Sequence, residues 1–132
     1  MSLYKSANLT LLTDLYELTM MQGYYLYRKN IDVVFDMFFR NEPFGSGFSV
    51  FAGLEPMIKT VLNFRFEDDD LAYLDSLKLF KPEFLKFLSC FRFNGDIYSV
   101  EEGEVVFAKE PLIRVHAGIM EAQFLESILL NI

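Results

Sequence analysis

In most of the chain an apolar residue recurs every three or four positions. In shorter stretches between these regions, apolar and polar residues alternate or apolar residues follow one another. A spacing of three or four places side chains on one face of a helix, whereas alternation is typical of a strand. It predicts helices over residues 14–30, 50–64, 67–77, 82–91 and 119–132. Alternation predicts a strand over 32–40, and further β-segments are predicted at 97–100, 105–107 and 111–116. The order αβααα and then βββα predicts an α+β domain, in which helices cover one face of an antiparallel sheet.

Local signals indicate where several of these elements begin. Asp14 is the predicted N-cap of the first helix, and Glu17, three residues later, would complete a capping box. The acidic run 67–70 precedes a helix, because carboxylates are favoured at the positive end of the helix dipole. Pro82 fits the first position of the next helix. The segments 97–100 and 105–107 predict a β-hairpin joined by 101–104.

The last predicted helix ends on apolar side chains. Ile128, Leu129, Leu130 and Ile132 crowd this end, without a glycine stop or a basic last turn. Helices that end a domain usually have a C-cap or give way to polar residues. We therefore expect residues 1–132 to form one domain that belongs to a longer chain.

Composition narrows the class of protein. Of the 132 residues, 52% are apolar, which excludes intrinsic disorder. No apolar run reaches the roughly 20 residues of a membrane span, and no hydrophobic segment of a secretory signal follows the first residues. Twelve basic against 19 acidic residues give a net charge of −7, so nucleic acid is not an expected partner. The single cysteine favours a reducing compartment, and we expect a cytoplasmic protein.

Most reactive side chains have an ordinary structural interpretation. His116 lies at a predicted strand end with no acid or nucleophile fixed beside it, and we expect an edge or turn histidine. Cys90 lies in a phenylalanine-rich turn without a nearby cation, and we expect a buried structural thiol. The carboxylates of residues 68–70 point in three directions on a helix and cannot converge on one ion. We predict no metal site.

Asp14, Tyr16 and Arg40 are the candidate binding residues. Asp14 and Tyr16 lie in the first turn of a predicted helix, where backbone N–H groups attract an anion, and Tyr16 adds a flat ring. Arg40 is a cation at a strand end, just before a glycine-rich loop. The local pattern alone favours capping and core packing for the first two, and a snorkelling surface position for the arginine.

Seven blocks of the sequence resemble the nicotinate phosphoribosyltransferase family. They are LTDLYELTM (12–20), FDMFFRNEPF (35–44), FAGLE (51–55), FRFNG (91–95), EGEVVF (102–107), EPLIRV (110–115) and EAQFLESILLN (121–131). The blocks occur in the order of that family and extend over nearly the whole chain.

The resemblance implies an enzyme of NAD biosynthesis by pyridine nucleotide salvage. Such enzymes join nicotinate to 5-phosphoribosyl 1-diphosphate, form nicotinate mononucleotide and release diphosphate. The reaction is coupled to hydrolysis of ATP to ADP and phosphate, so ATP and Mg²⁺ are the implied cofactors. The family fold, that of a type II phosphoribosyltransferase, places an N-terminal α+β domain beside an α/β barrel that is missing here. Its members are homodimers, and the neighbouring subunit's N-terminal domain completes the active site at the barrel mouth.

The same resemblance assigns roles to the three candidates. Tyr16 would stack on the pyridine ring of nicotinate, Asp14 would orient the ring or the tyrosine, and Arg40 would contact phosphate or diphosphate oxygens. The histidine that ATP phosphorylates belongs to the barrel, beyond Ile132. We therefore assign no catalytic residue to this chain, do not transfer that role to His116, and expect the chain alone to be inactive.

Two alternatives stay open. The first is a non-catalytic module that uses Asp14, Tyr16 and Arg40 to bind a small aromatic ligand or a partner subunit. A reading frame that continues past Ile132 into a barrel would favour the enzyme, and a natural stop would favour the module. The second is a relative that uses nicotinamide or quinolinate, although the blocks around Tyr16 and Arg40 favour nicotinate.

Overall fold

Helices and antiparallel strands follow one another through residues 8–131, the part of the chain that the computed structural model describes. The helices are α1 (Leu15–Leu26), α2 (Leu54–Leu62), α3 (Asp68–Ser76), α4 (Pro82–Ser89), α5 (Ile119–Phe124) and α6 (Glu126–Asn131). The strands are β1 (Asp32–Met37), β2 (Ser49–Val50), β3 (Asp96–Ser99), β4 (Val105–Val106) and β5 (Ile113–Gly118). A 3₁₀ helix spans Pro43–Gly45. The predicted α+β class is confirmed.

The larger sheet has three antiparallel strands in the order β1–β5–β3. Ile113, Val115 and Ala117 of β5 are buried, whereas Arg114 and His116, which alternate with them, are exposed. This alternation follows from the two-residue period of a strand. One face of the sheet therefore packs against the helices, and the opposite face lies open within the described part of the chain.

The predicted hairpin of 97–100 with 105–107 is wrong. β3 pairs with β5, and β4 pairs instead with β2, so that Val50 lies opposite Val105. The partners lie far apart in sequence, and a run of residues predicts a strand without naming its partner. The segment 101–104 therefore connects two different sheets.

Several predicted boundaries also shift. β1 ends at Met37 rather than at residue 40, and β5 covers 113–118 rather than 111–116. α2 begins at Leu54 rather than near residue 50, because Gly53 precedes it with a φ of 104° that a side chain would disfavour. The helix predicted over 119–132 is two short helices that meet at Leu125.

Two predicted helix starts are confirmed. α3 begins at Asp68, where Glu67 and Asp70 form a reciprocal capping box. Pro82 occupies the first turn of α4. In both cases the interaction that favours the helix start lies within the segment itself, so the sequence pattern alone is enough to predict that start.

Phenylalanine rings form the centre of the core. The ring of Phe124 lies 5.2 Å from that of Phe64 and 5.4 Å from those of Phe66 and Phe91, measured between centroids. All four residues are buried. Tilted and edge-on ring pairs at these distances stabilise beyond the area they bury. Phe124 thereby fixes α5, and with it the start of α6, against the helical layer.

Two predictions about reactive residues are wrong. Cys90 is exposed rather than buried, because it follows the last residue of α4 on the outer side. His116 lies in β5, the central strand of its sheet, and not at an edge or in a turn. No helix within residues 8–131 has the length and apolar character needed to cross a membrane.

Candidate functional site

A groove of about 420 Å³ lies between β1 and the α5–α6 pair. β1 and the residues that continue it as far as Arg40 form one wall, and Ala122, Glu126, Leu129 and Leu130 form the other. We call this depression the β1–α6 groove. It contains one cation, Arg40, the two carboxylates of Asp36 and Glu126, and apolar side chains, a combination suited to a small polar ligand with an apolar ring.

Arg40 lies at one end of the groove and is exposed. The backbone N–H of Lys109 donates to the carbonyl oxygen of Phe39 at 2.8 Å and so fixes the chain just before Arg40. Within residues 8–131, the Arg40 guanidinium has no ion-pair or hydrogen-bond partner. Its donors are therefore available to an anion.

The carboxylate of Asp36 also lines the groove, but its charge is compensated. Arg114 on the neighbouring strand donates to both carboxylate oxygens, at 2.7 and 2.9 Å. This hydrogen-bonded pair holds the pKa of Asp36 below its usual value and raises that of Arg114. Asp36 therefore repels an anion at Arg40 less than a free carboxylate would.

Tyr16 is connected to the groove by a hydrogen bond to Glu126, which forms part of the groove wall. Its phenolic O–H donates to Oε1 of Glu126 at 3.2 Å, and Nε2 of Gln123 donates to Oε2 of the same carboxylate at 3.2 Å. Desolvation, and then the nearby Glu126 charge, raise the pKa of the Tyr16 phenol. The side chain is 48% exposed, so part of its ring is free to meet a ligand.

Asp14 does not line the groove. It precedes α1 with an extended backbone, but its carboxylate makes no capping hydrogen bond. Its backbone N–H instead donates to Oγ of Ser127 at 3.2 Å. Tyr16 does not line the groove either, but it hydrogen-bonds to Glu126, which lines the groove together with Arg40. The role of Asp14, Tyr16 and Arg40 in binding stays a prediction.

The predicted capping box of Asp14 and Glu17 is wrong. Glu17 is fully buried, and its carboxylate accepts hydrogen bonds from Oγ1 of Thr13 and, at 3.1 Å, from Oγ of Ser127. Burial raises the pKa of Glu17, and the two hydroxyl groups lower it by a smaller amount. The side chain points into the molecule because its partner on α6 is there.

Sequence reasoning assigned no role to Glu126 or Ser127. Both lie within the block 121–131, whose resemblance was noted, but a helix of mostly apolar residues suggested packing alone. Their polar character between Leu125 and Ile128 was the one available signal. Among the residues that the structure describes, no group of three or more His, Cys, Asp and Glu side chains is placed to hold a metal ion.

Residues 11–132 match the family model described as the nicotinate phosphoribosyltransferase (NAPRTase) N-terminal domain. The chain belongs to this family. Nicotinate phosphoribosyltransferase pncB2 of Mycobacterium tuberculosis is 43% identical over 121 residues, and nicotinate phosphoribosyltransferase of Bacillus subtilis is 42% identical over 132 residues. These alignments cover 92% and 98% of this chain but 26% of each relative. The chain thus spans about a quarter of the length of these curated relatives.

Solved structures agree with the family. The crystal structure of human nicotinic acid phosphoribosyltransferase superposes with a TM-score of 0.80 at 33% identity, over 89% of this chain and 24% of the human one. Nicotinate phosphoribosyltransferase from Vibrio cholerae superposes with a TM-score of 0.66 at 20% identity, over 96% of this chain and 30% of its own. The second likeness shows a shared fold.

Proposed function

We propose that this NAPRTase N-terminal domain works within a nicotinate phosphoribosyltransferase of NAD salvage. In this proposal it lends Tyr16 and Arg40 to an active site that a barrel completes, in a homodimer. The reaction converts nicotinate and 5-phosphoribosyl 1-diphosphate into nicotinate mononucleotide and diphosphate, coupled to ATP hydrolysis. The observation that best supports this proposal is that Glu126, which lines the β1–α6 groove together with Arg40, accepts a hydrogen bond from Tyr16 on α1.

The half-exposed ring of Tyr16 offers a stacking surface for the pyridine ring. Stacking on one face holds the heterocycle and limits the directions in which its nitrogen points. The hydrogen bond to Glu126 holds the phenolic oxygen, and so limits where the aromatic ring lies. In this proposal Asp14, two residues before Tyr16, helps to orient the ring or the tyrosine, as in the family.

The free guanidinium of Arg40 offers two parallel N–H groups to phosphate or diphosphate oxygens. In the transfer step, the pyridine nitrogen forms a bond to the anomeric carbon as the bond to the diphosphate oxygen breaks. The electron pair of that bond leaves with the diphosphate. A cation placed at those oxygens stabilises the charge that develops there.

The cofactors ATP and Mg²⁺ belong to the proposal through the family alone. When bound, Mg²⁺ would neutralise charge on the diphosphate, and ATP hydrolysis would supply driving force. The described residues offer no protein ligand set for a metal, so no step above is assigned to a metal ion held by this chain.

The test uses the protein made from its whole gene, assayed with labelled nicotinate, 5-phosphoribosyl 1-diphosphate and ATP. We expect nicotinate mononucleotide to form. Replacing Tyr16 with Ala should raise the KM for nicotinate roughly 5- to 150-fold, the range that base–aromatic stacking of about 1–3 kcal/mol supports. Tyr16→Phe keeps the ring and is the matched control, with a KM within about threefold of the natural protein.

Four results would contradict parts of this proposal. An absence of mononucleotide would reject the transferase activity, and binding of nicotinate without turnover would favour the non-catalytic module. An unchanged KM in Tyr16→Ala would remove Tyr16 from the nicotinate site. Turnover by residues 1–132 alone would show that the division of labour with a barrel is wrong.

A further inference from the structure

Two adjacent residues of α1 contact two adjacent residues of α6. Tyr16 donates to Glu126 at 3.2 Å, and Glu17 accepts from Ser127 at 3.1 Å. Neighbouring residues on a helix point in different directions, so the first contact lies at the groove and the second inside the protein. Tyr16 is half-exposed, whereas Glu17 is fully buried.

The buried contact has a fixed direction. Ser127 has one hydroxyl proton, which it gives to Glu17, and its oxygen accepts the backbone N–H of Asp14 at 3.2 Å. Thr13 supplies a second hydroxyl to the other oxygen of Glu17. The Ser127 hydroxyl of α6 thus contacts the chain on both sides of Tyr16, at the backbone N–H of Asp14 and at the carboxylate of Glu17.

Burial of a carboxylate is costly when its hydrogen bonds replace only part of its hydration. A leucine at this helix position would avoid that cost. A buried glutamate at position 17 is explained if the first turn of α1 must be held at a defined distance from α6. Hydrogen bonds have preferred lengths and angles, whereas apolar packing tolerates sliding.

We propose that Glu17 is a positioning residue for the nicotinate subsite, and that it acts through Ser127. It sets the place of the Tyr16 ring relative to Glu126 and Arg40 without touching the substrate. This inference rests on the proposed function, because it assumes that Tyr16 binds the pyridine ring.

The test compares four variants of the protein made from its whole gene. Glu17→Leu removes the acceptor and should raise the KM for nicotinate about tenfold, with kcat within about twofold. Ser127→Ala cuts the link from the α6 side and should raise the KM about threefold. Glu17→Gln keeps one acceptor oxygen and should restore the KM to within about twofold of the natural protein.

Thr10→Val is the matched control. Thr10 is also a fully buried polar residue, but its hydroxyl bonds to the backbone of Arg65, at 2.9 and 3.2 Å, and not to α6. Thr10→Val should therefore lower stability and leave the KM unchanged. An NMR signal from the Tyr16 ring, assigned by its loss in Tyr16→Phe, should shift in Ser127→Ala and not in Thr10→Val.

The outcomes separate this inference from the proposed function. If Tyr16→Ala raises the KM but Glu17→Leu and Ser127→Ala do not, the positioning role is wrong and the proposed function stands. An equal rise in Thr10→Val would show a general loss of stability and would also overturn the role. If Glu17→Leu fails to fold, Ser127→Ala and the Tyr16 signal decide. An unchanged KM in Tyr16→Ala rejects the proposed role of Tyr16 itself.

Discussion

The carboxyl group of Glu17 titrates in surroundings that disfavour its charge. Burial raises its pKa, the hydroxyls of Thr13 and Ser127 offset part of that rise, and the carboxylates of Glu126 and Asp14 add to it. The folded state therefore binds a proton at Glu17 more tightly than the unfolded state does. This difference makes the stability of the fold depend on pH.

Glu17→Gln should reveal this dependence in the free energy of unfolding. The stabilisation from a raised pKa is fully present below the unfolded value, about 4.3, and is lost as the pH rises through the folded value. The natural protein should therefore lose stability relative to Glu17→Gln as the pH rises above about 4.3. Urea unfolding at a series of pH values measures the difference.

An exposed glutamate provides the control for Glu17. Glu55 pairs with Lys59, and this hydrogen-bonded partner lowers the pKa of Glu55. Glu55→Gln should accordingly show the opposite trend, with stability of the natural protein lost as the pH falls. A difference between Glu17→Gln and the natural protein that stays constant with pH would show that Glu17 titrates as an ordinary carboxyl group.

At the residue level, a local motif competed with a distant partner. Asp14 and Glu17 have the spacing of a capping box, and the sequence gives no sign that Ser127 lies nearby. The bond between Ser127 and Glu17 joins residues 110 positions apart. In α3, the box of Glu67 and Asp70 forms, although Nδ2 of the distant Asn8 also donates to Asp70 at 3.0 Å. The acidic run 67–70 thus predicted the start of α3 correctly, whereas the capping-box spacing at the start of α1 misassigned a buried side chain.

At the level of elements, the helices were predicted better than the strand pairing. The three-to-four spacing that defines a helix is complete within one segment, and all of the predicted helical regions contain helices. A strand needs a partner, and β3 finds it in β5 while β4 finds it in β2. The break at Leu125 was also missed, because the apolar spacing continues through it.

A substitution of Gly95, just before β3, tests how tightly β3 packs against β5. A Cβ at this position would lie 2.5 Å from Cβ of Ala117 and 2.7 Å from the carbonyl oxygen of His116. Neither atom belongs to a flexible side chain, so the backbone must shift. Gly95→Ala should lower the free energy of unfolding by roughly 1–3 kcal/mol, measured by chemical denaturation.

Gly23 is the matched glycine in open space. It lies within α1, and a Cβ there would meet no atom within 4 Å. Gly23→Ala should stabilise the fold by roughly 0.5–1 kcal/mol, since alanine is the better helix former. If both substitutions changed stability equally, the close approach of Gly95 to β5 would not be the cause of its effect.

At the scale of the whole molecule, the net negative charge of the chain disfavours binding of the proposed anionic substrates. The chain has a net charge of −7, so it gives an anion no general attraction. Anion binding then depends on the charges near the groove. Arg114 neutralises Asp36, and Arg40, at the β1–α6 groove, has no ion-pair partner among the described residues. The resemblance indicates Tyr16 and Arg40, but the hydrogen bond between Tyr16 and Glu126, a residue of the groove, follows only from the packing of α6, which no local pattern contains.

Arg40→Ala should show that anion binding depends on this one local cation. In the protein made from its whole gene, it should raise the KM for 5-phosphoribosyl 1-diphosphate about tenfold and that for nicotinate by less than about twofold. Arg65→Ala removes the same charge from an exposed site where the guanidinium pairs with Glu67, and it should change neither KM. An equal effect of the two substitutions would mean that net charge, and not the position of Arg40, governs anion binding. An equal loss for both substrates in Arg40→Ala would instead indicate damage to the groove, because a guanidinium that contacts only phosphate oxygens discriminates between a phosphorylated substrate and an aromatic acid.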